Sequence, residues 1–361
     1  MPRDRLFAKL ETKWVNGDGP MQDVVITSRV RLARNLRSFP FPQVQSEQSA
    51  SEMQQRIADF ITLGSSKGHA GNLDFLPLRQ VSQIDRQVLV EKHLISPDLA
   101  KSKNPGAAVI VRDDEAVSIM VNEEDHLRIQ CLLPGFQLRE CWNLASRLDD
   151  LLEDKLEYAF DQVHGYLTAC PTNVGTGLRA SVMVHLPGLV MTQQIGSVLA
   201  AIAQVGLVVR GLYGEGTSAS GNIFQISNQI TLGPNEEEII QNLSAVIKQI
   251  VEQERNSRRV LQKNGGLALD DRIWRAYGIL TNARMLSSKE AIGLLSDVRL
   301  GANLGTISDI PTKLLNELLV LTQPAMLERI VGEKMNDQAR DVNRAEIVRG
   351  RLKSNPLEGS K

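Results

Sequence analysis

The chain has 361 residues, 42% hydrophobic and 23% charged, enough for one large domain or two ordinary ones with buried cores. A formal net charge of −1 provides no global attraction to nucleic acid or an anionic membrane, and three cysteines without a CxxC pair argue against a disulfide frame or zinc site. The segment from Met1 to Leu10 lacks a signal-peptide core and no apolar run reaches the roughly 18 residues of a membrane span, so a soluble, cytoplasmic globular protein is expected.

Val24 to Leu32 alternates and is β-branched, which predicts a strand. Residues 107–111 and 117–122 flank the acidic turn Arg112-Asp-Asp-Glu115, the pattern of a hairpin. Leu138 to Leu156 carries apolar residues at helical spacing, as does Gln193 to Gln204, and strands are predicted at 181–186, 207–210 and 223–226. Strand pairs with intervening helices imply an α+β domain, an antiparallel sheet flanked by helices. From Pro234 the texture changes. Glu236 to Val251 puts Ile239, Leu243, Val246 and Ile250 on one face behind an acidic first turn. Asn264-Gly-Gly266 is expected to break that helix, and helical segments follow to about Leu352, with Pro311 and Pro324 near helix starts. The expected division is a mixed domain over residues 1–255 and an all-helical C-terminal region over 256–361.

Neither GxxxxGK[ST] nor GxGxxG follows a strand, so charged side chains would have to hold any nucleotide phosphates. Arg29 and Arg31 are two apart on a predicted strand and share a face, from which two guanidinium forks can address phosphate oxygens. Alone, such a pair is more often a solvated basic edge. Asn122-Glu-Glu-Asp-His-Leu-Arg128 gathers three carboxylates, a histidine and an arginine; such clusters are more often solvated loops, but one carboxylate could grip a cationic substrate and act as base. His126 fits a structural hydrogen-bonding role better than a catalytic one, the remaining histidines suggest no metal site, and Trp14, Trp142 and Trp274 read as packing residues. Cys170-Pro-Thr-Asn-Val-Gly-Thr-Gly-Leu-Arg179 puts a thiol at a loop entrance, where nearby cations would stabilise a thiolate. Residues 209–218 add Arg210 leaving a strand and Glu215 in a glycine-rich loop of the kind that closes over a site.

Taken in order, Ser28-Arg-Val-Arg31, the Asn122–Arg128 cluster, Cys170–Thr176 with Arg179, and Arg210-Gly211 with Gly214-Glu215 resemble the catalytic domain of the phosphagen (guanidino) kinases. The resemblance implies ATP and Mg²⁺ as cofactors without a dedicated metal site. It implies that Ser28, Arg29, Arg31, Arg128, Arg179 and Arg210 bind ATP and its phosphates, and that Glu124 pairs with the substrate guanidinium as base, with Glu215 and Cys170 as catalytic partners. Glu123 and Asp125 would order the cluster and magnesium-bound water. Met183 and His185 lie near the expected adenine region by sequence.

Phosphagen kinases carry a small helical domain before the Ser-Arg-Val-Arg strand, whereas here that strand starts near residue 24. This implies a cleft open to arginine side chains on proteins. Arg340-Asp-Val-Asn-Arg-Ala345 is similar to the RDxxRA motif of the protein-arginine kinases, which implies an allosteric phosphoarginine site at Arg340, Asp341 and Arg344; spacing alone fits a solvated charged helix face. The implied setting includes protein substrates such as a heat-shock repressor, a zinc-binding activator, a Clp-type unfoldase and protease, and a homodimer. A kinase for free arginine is the main alternative, and a non-catalytic phosphoarginine adaptor a further one.

Overall fold

The structure, a computed structural model, describes residues 6, 7, 10, 12–62, 71–211 and 220–354. Eight strands form one antiparallel sheet: β1 (Val25–Arg34), β2 (Leu73–Pro77), β3 (Ala108–Arg112), β4 (Val117–Val121), β5 (Leu127–Pro134), β6 (Leu178–His185), β7 (Leu207–Gly211) and β8 (Ile223–Asn228). Their spatial order is β2-β3-β4-β5-β1-β6-β8-β7, which puts β1 near the middle between β5 and β6. Helices α1 (Glu47–Thr62), α2 (Gln83–Glu91), α3 (Pro97–Lys101), α4 (Leu138–Glu153), α5 (Pro187–Met191) and α6 (Ile195–Gln204) are threaded among the strands.

Side chains alternate along a strand, so β1 sends Val30 and Leu32 to one face and Arg29 and Arg31 to the other. The register extends this split across the sheet. Ile129, Cys131, Ala180, Val182 and Ile226 continue the apolar face. It is covered by α4, whose Leu138, Cys141, Ala145, Leu148 and Leu152 recur at helical spacing and are buried. Each such leucine contributes about 1.5–3 kcal/mol by burial, so Leu148→Asp would unseat the helix.

The C-terminal part is helical: α7 (Glu236–Asn282), α8 (Ser288–Leu304), α9 (Thr312–Leu321), α10 (Pro324–Val331) and α11 (Asp337–Lys353). Asn235 and Glu238 form a reciprocal capping box at the start of α7, and Glu236, Glu237 and Glu238 complement the helix dipole. The expected break at Asn264-Gly-Gly266 is a kink: only Gly265 leaves helical geometry (φ −130°, ψ 20°), and the helix runs on for 47 residues in all. Its first half packs Ile239, Leu243 and Ile250 under the sheet. Its last turns join a second core with Leu269, Ile273 and Leu280. Residue 255 therefore lies inside a continuous helix.

The C-terminal helices also reach the arginine-bearing face. Leu132, Met183 and Ile223, on that face, pack with Trp14, Leu319, Val320, Ala325 and Met326. Trp142 packs partly buried against the main core, but Trp274 is 45% exposed, edge-on to Tyr277, and not the packing residue expected. Among the described residues, no helix is long and apolar enough to cross a membrane.

Candidate active site

The uncovered part of the sheet floors a cleft of about 870 Å³. Strand register assembles its cations. Arg29 stands opposite Ser181 on β6, Arg31 opposite Arg179, and Arg210 on β7 opposite Gln225 on β8. Arg29 is aimed by two bonds, from Nε to Ser181 Oγ (3.2 Å) and from Nη2 to Gln225 Oε1 (2.8 Å). Burial lowers the Arg29 guanidinium to about 10, with the charges of Arg128, Arg179 and Arg210 adding to the effect. Arg31 is pushed well below its ordinary value by burial and then by Arg29, Arg128 and Arg179, with Glu123 opposing.

Ser28 departs from its expected place. One residue out of phase with Arg29, it points to the opposite face and is fully buried. Its Oγ donates to the Gly135 carbonyl (2.8 Å) and accepts from the Gln137 amide (3.0 Å), so it pins the start of α4 instead of reaching phosphate.

The acidic cluster is a tight turn between β4 and β5. Asn122 takes a left-handed conformation (φ 54°), and its amide donates to the His126 carbonyl (3.0 Å). Arg128 Nη1 pairs with Glu123 Oε2 (2.6 Å) and Nη2 with Glu124 Oε2 (2.8 Å), while Ser96 donates to Glu123 Oε1 (2.6 Å). Burial pushes the Glu124 carboxyl above its ordinary 4.5; Arg128 works against this, Asp125 and Glu123 reinforce it, and a hydrogen bond from Cys170 works against it. Asp125 Oδ1 accepts from Asn35 Nδ2 (2.6 Å) and from the Ala169 amide (2.7 Å), bolting the turn to the residue before Cys170. Burial pushes its carboxyl up as well. His126 is structural: Nδ1 accepts the Leu36 amide (3.0 Å), Nε2 lies 2.9 Å from the Pro40 carbonyl, and burial lowers the imidazole to about 4.

Cys170 caps the short turn Pro171–Asn173, with Sγ 3.0 Å from Thr172 Oγ1. Further along that loop Gly175 sits at φ 107°, where an added Cβ would come within 2.3 Å of the Thr231 carbonyl. Only glycine lets the loop pass. Glu124, Arg29, Arg31, Arg128 and Arg210 line the one cleft, with Arg179 paired across from Arg31. Glu215 lies outside the described residues. Met183 is buried among apolar side chains, and buried His185 holds Nε2 2.8 Å from Ser296 Oγ.

The alignment of Ser181 and Gln225 with Arg29, and of Ser96 with Glu123, was not deduced from sequence. A usable signal existed for the first two, since each is polar at an alternate position in an otherwise apolar strand. Among the described residues, no group of three or more His, Cys, Asp or Glu is arranged to hold a metal ion.

The C-terminal motif is only partly as expected. Arg340 pairs with Glu328 (3.0 Å) and Asp337 at a partly exposed position. Arg344 is 2% exposed and donates to the carbonyls of Thr322 (2.8 Å) and Leu286 (2.7 Å) and to Asp341 Oδ1 (2.5 Å). Although i and i+4 share a helix face, the Arg344 fork turns inward to bracket the chain between helices, leaving Arg340 and Asp341 as the outward members.

Residues 52–257 match the family described as ATP:guanido phosphotransferase, C-terminal catalytic domain, and residues 266–361 match that of the protein-arginine kinase McsB C-terminal domain. The chain is 56% identical over 338 residues to a protein-arginine kinase of Moorella thermoacetica, covering 94% of this chain and 96% of that one. It is 53% identical over 343 residues to one of Desulforamulus reducens, covering 95% and 96%. The fold is similar to the duplicated taurocyamine kinase of Schistosoma mansoni with bound transition-state-analogue components (TM-score 0.59, 26% identity, 66% of this chain and 34% of that chain). It is likewise similar in fold to lombricine kinase (TM-score 0.55, 24% identity, 66% and 68%). Carrying both family regions in order and matched over nearly its whole length, the chain belongs to the protein-arginine kinases, a branch of the ATP-using guanidino phosphotransferases.

Proposed function

We propose that the cleft transfers the γ-phosphate of ATP to the guanidinium of arginine residues in proteins. The observation that carries this reading is the meeting, in one cleft, of an arginine wall with a carboxylate, Glu124, that Arg128 orients. Arg29, Arg31, Arg128, Arg179 and Arg210 hold the phosphates and neutralise charge as it spreads over the transferring group. A guanidinium is protonated at neutral pH, with a pKa above about 12, so its nitrogen becomes nucleophilic only as a proton leaves. Glu124 takes that proton while the N–P bond forms and the bond from phosphorus to the ADP oxygen breaks. Cys170 and, from its loop, Glu215 align the cation. The products are phosphoarginine and ADP.

The donor set fits magnesium carried on the nucleotide. Glu123 lines the cleft, held by Arg128 and Ser96, and is the carboxylate suited to metal-bound water, whereas Asp125 is fully buried behind it and orders the turn. Bound there, magnesium would offset phosphate charge. Arg340 and Asp341 form the accessible part of a phosphoarginine receptor that Arg344 shapes from inside, and the helical region also mediates dimerisation. A cytoplasmic setting with a zinc-binding activator, a Clp-type unfoldase and protease, and a heat-shock repressor among the substrates follows from the family resemblance.

Incubation with γ-labelled ATP, magnesium and either an unfolded basic protein or free L-arginine tests the proposal, with Glu124→Gln as blank. Acid-labile, base-stable label on protein, absent from the variant and scarce on free arginine, is expected. Rapid labelling of free arginine would instead make this a small-molecule guanidino kinase.

A further inference from the structure

Glu91 is among the ionisable groups of the cleft that take no part in phosphoryl transfer. The last residue of α2, it lines the same cavity as Arg29, Arg31 and Arg128. Its Oε1 accepts the Ala325 amide (2.8 Å) and its Oε2 the Met326 amide (2.7 Å), both in the first turn of α10. That helix is anchored from the far side: Arg344 holds the carbonyl of Thr322 just before it, and Arg340 pairs with Glu328 within it. Burial pushes the Glu91 carboxyl up to about 7, the two amides pull it down, Glu328 raises it further and Arg344 lowers it. The His93 imidazole, two residues along the same wall, feels the charge of Arg29.

A free carboxylate beside clustered arginines competes with nucleotide phosphates for their forks. We propose that the first turn of α10 sequesters Glu91, and that Glu91 is a positioning residue whose retention by the C-terminal helices keeps the arginine wall open to nucleotide. The proposal rests on those arginines holding nucleotide phosphates. Released from Ala325 and Met326, the Glu91 carboxylate turns into the cleft and occupies an arginine that phosphate would bind. The C-terminal helices thereby set nucleotide affinity without touching the nucleotide.

The test uses the full chain with Glu91→Asp, Glu91→Gln and Glu91→Ala, measuring MgATP binding by titration calorimetry together with KM for ATP, KM for a protein substrate, and kcat. Aspartate keeps the charge but is one methylene short of both amides. It is expected to raise Kd and KM for ATP about tenfold, the scale of one charge-assisted contact, with kcat at saturating ATP and KM for protein unchanged. Glutamine and alanine have no charge to release and stay within about twofold of the parent by the same scale. The reverse order, aspartate nearest the parent and alanine worst, overturns the proposal and leaves Glu91 as a helix cap. Ala325→Pro removes one of the holding amides, in the first helical turn where that amide has no intrahelical partner. It should weaken ATP binding as Glu91→Asp does, and adding Glu91→Gln should restore it; failure to restore also overturns the proposal. If the unaltered chain did not bind MgATP, the phosphate role of the arginine wall would fall instead.

Discussion

Replacing Asp125 with alanine removes a carboxylate whose Oδ1 serves two donors, Asn35 Nδ2 at 2.6 Å and the Ala169 amide at 2.7 Å. A hydrogen bond to a charged group contributes about 1.5–3 kcal/mol, so the pair amounts to about 3–6 kcal/mol. Burial disfavours the ionised carboxyl and offsets part of that. We expect a loss of about 3 kcal/mol, seen as a lower urea midpoint and a melting temperature reduced by about 4 °C. Because Ala169 precedes Cys170, the thiol would also drift from Glu124, and misplacement by about an ångström can lower turnover a hundredfold. Asp125→Asn separates geometry from charge, since its carbonyl oxygen still accepts both bonds. It should remain within about 1 kcal/mol in stability and fivefold in kcat of the parent. Steady-state phosphorylation of an unfolded protein, paired with urea unfolding, reads both quantities. A folded Asp125→Asn as inactive as Asp125→Ala would refute the reasoning and show that charge, not the bolt between the two segments, is what matters.

Arg29→Lys loses the fork that engages Ser181 and Gln225 together and should raise KM for ATP about tenfold, measured by initial rates across ATP concentration. For Glu124 the raised pKa means that protonation sets in at a higher pH than for an exposed glutamate. Proton acceptance needs the ionised form, so kcat/KM should fall on acidification with a midpoint above 4.5; a midpoint at or below that value would count against Glu124 as base. Arg344→Met abandons the carbonyls of Thr322 and Leu286 and leaves Asp341 without its partner. A loss of about 3–5 kcal/mol is expected by chemical denaturation.

The period-two pattern of Val24 to Leu32 was enough to find β1 and to put Arg29 and Arg31 on one face, because each alternate side chain there is strongly apolar or strongly charged. Grouping Ser28 with them ignored that same alternation. The kink at Gly265 shows a different limit. Two adjacent glycines lower helix propensity by about 2 kcal/mol, yet packing at both ends of α7 carries the helix through. Arg340 and Arg344 are equivalent by spacing, and only the arrival of the carbonyls of Thr322 and Leu286 from distant helices distinguishes them. The wall bearing Glu91, His93 and Ser96 had no sequence signal, since its place in the cleft depends on how α2 and α3 lie over the sheet.

Arg31 and Arg179 face each other across neighbouring strands, with Arg29 one pair away, and each guanidinium makes its neighbours harder to keep charged. Such self-repulsion opposes folding unless something anionic joins the group. A polyphosphate that enters the cleft therefore acts on the whole folding equilibrium as well as on the chemistry. By mass action, nucleotide at a hundred times its Kd stabilises the native state by about 2.7 kcal/mol. On the proposed phosphate role of the arginine wall, nucleotide occupancy adds directly to the chain's resistance to unfolding: it holds its shape best when it has the means to work.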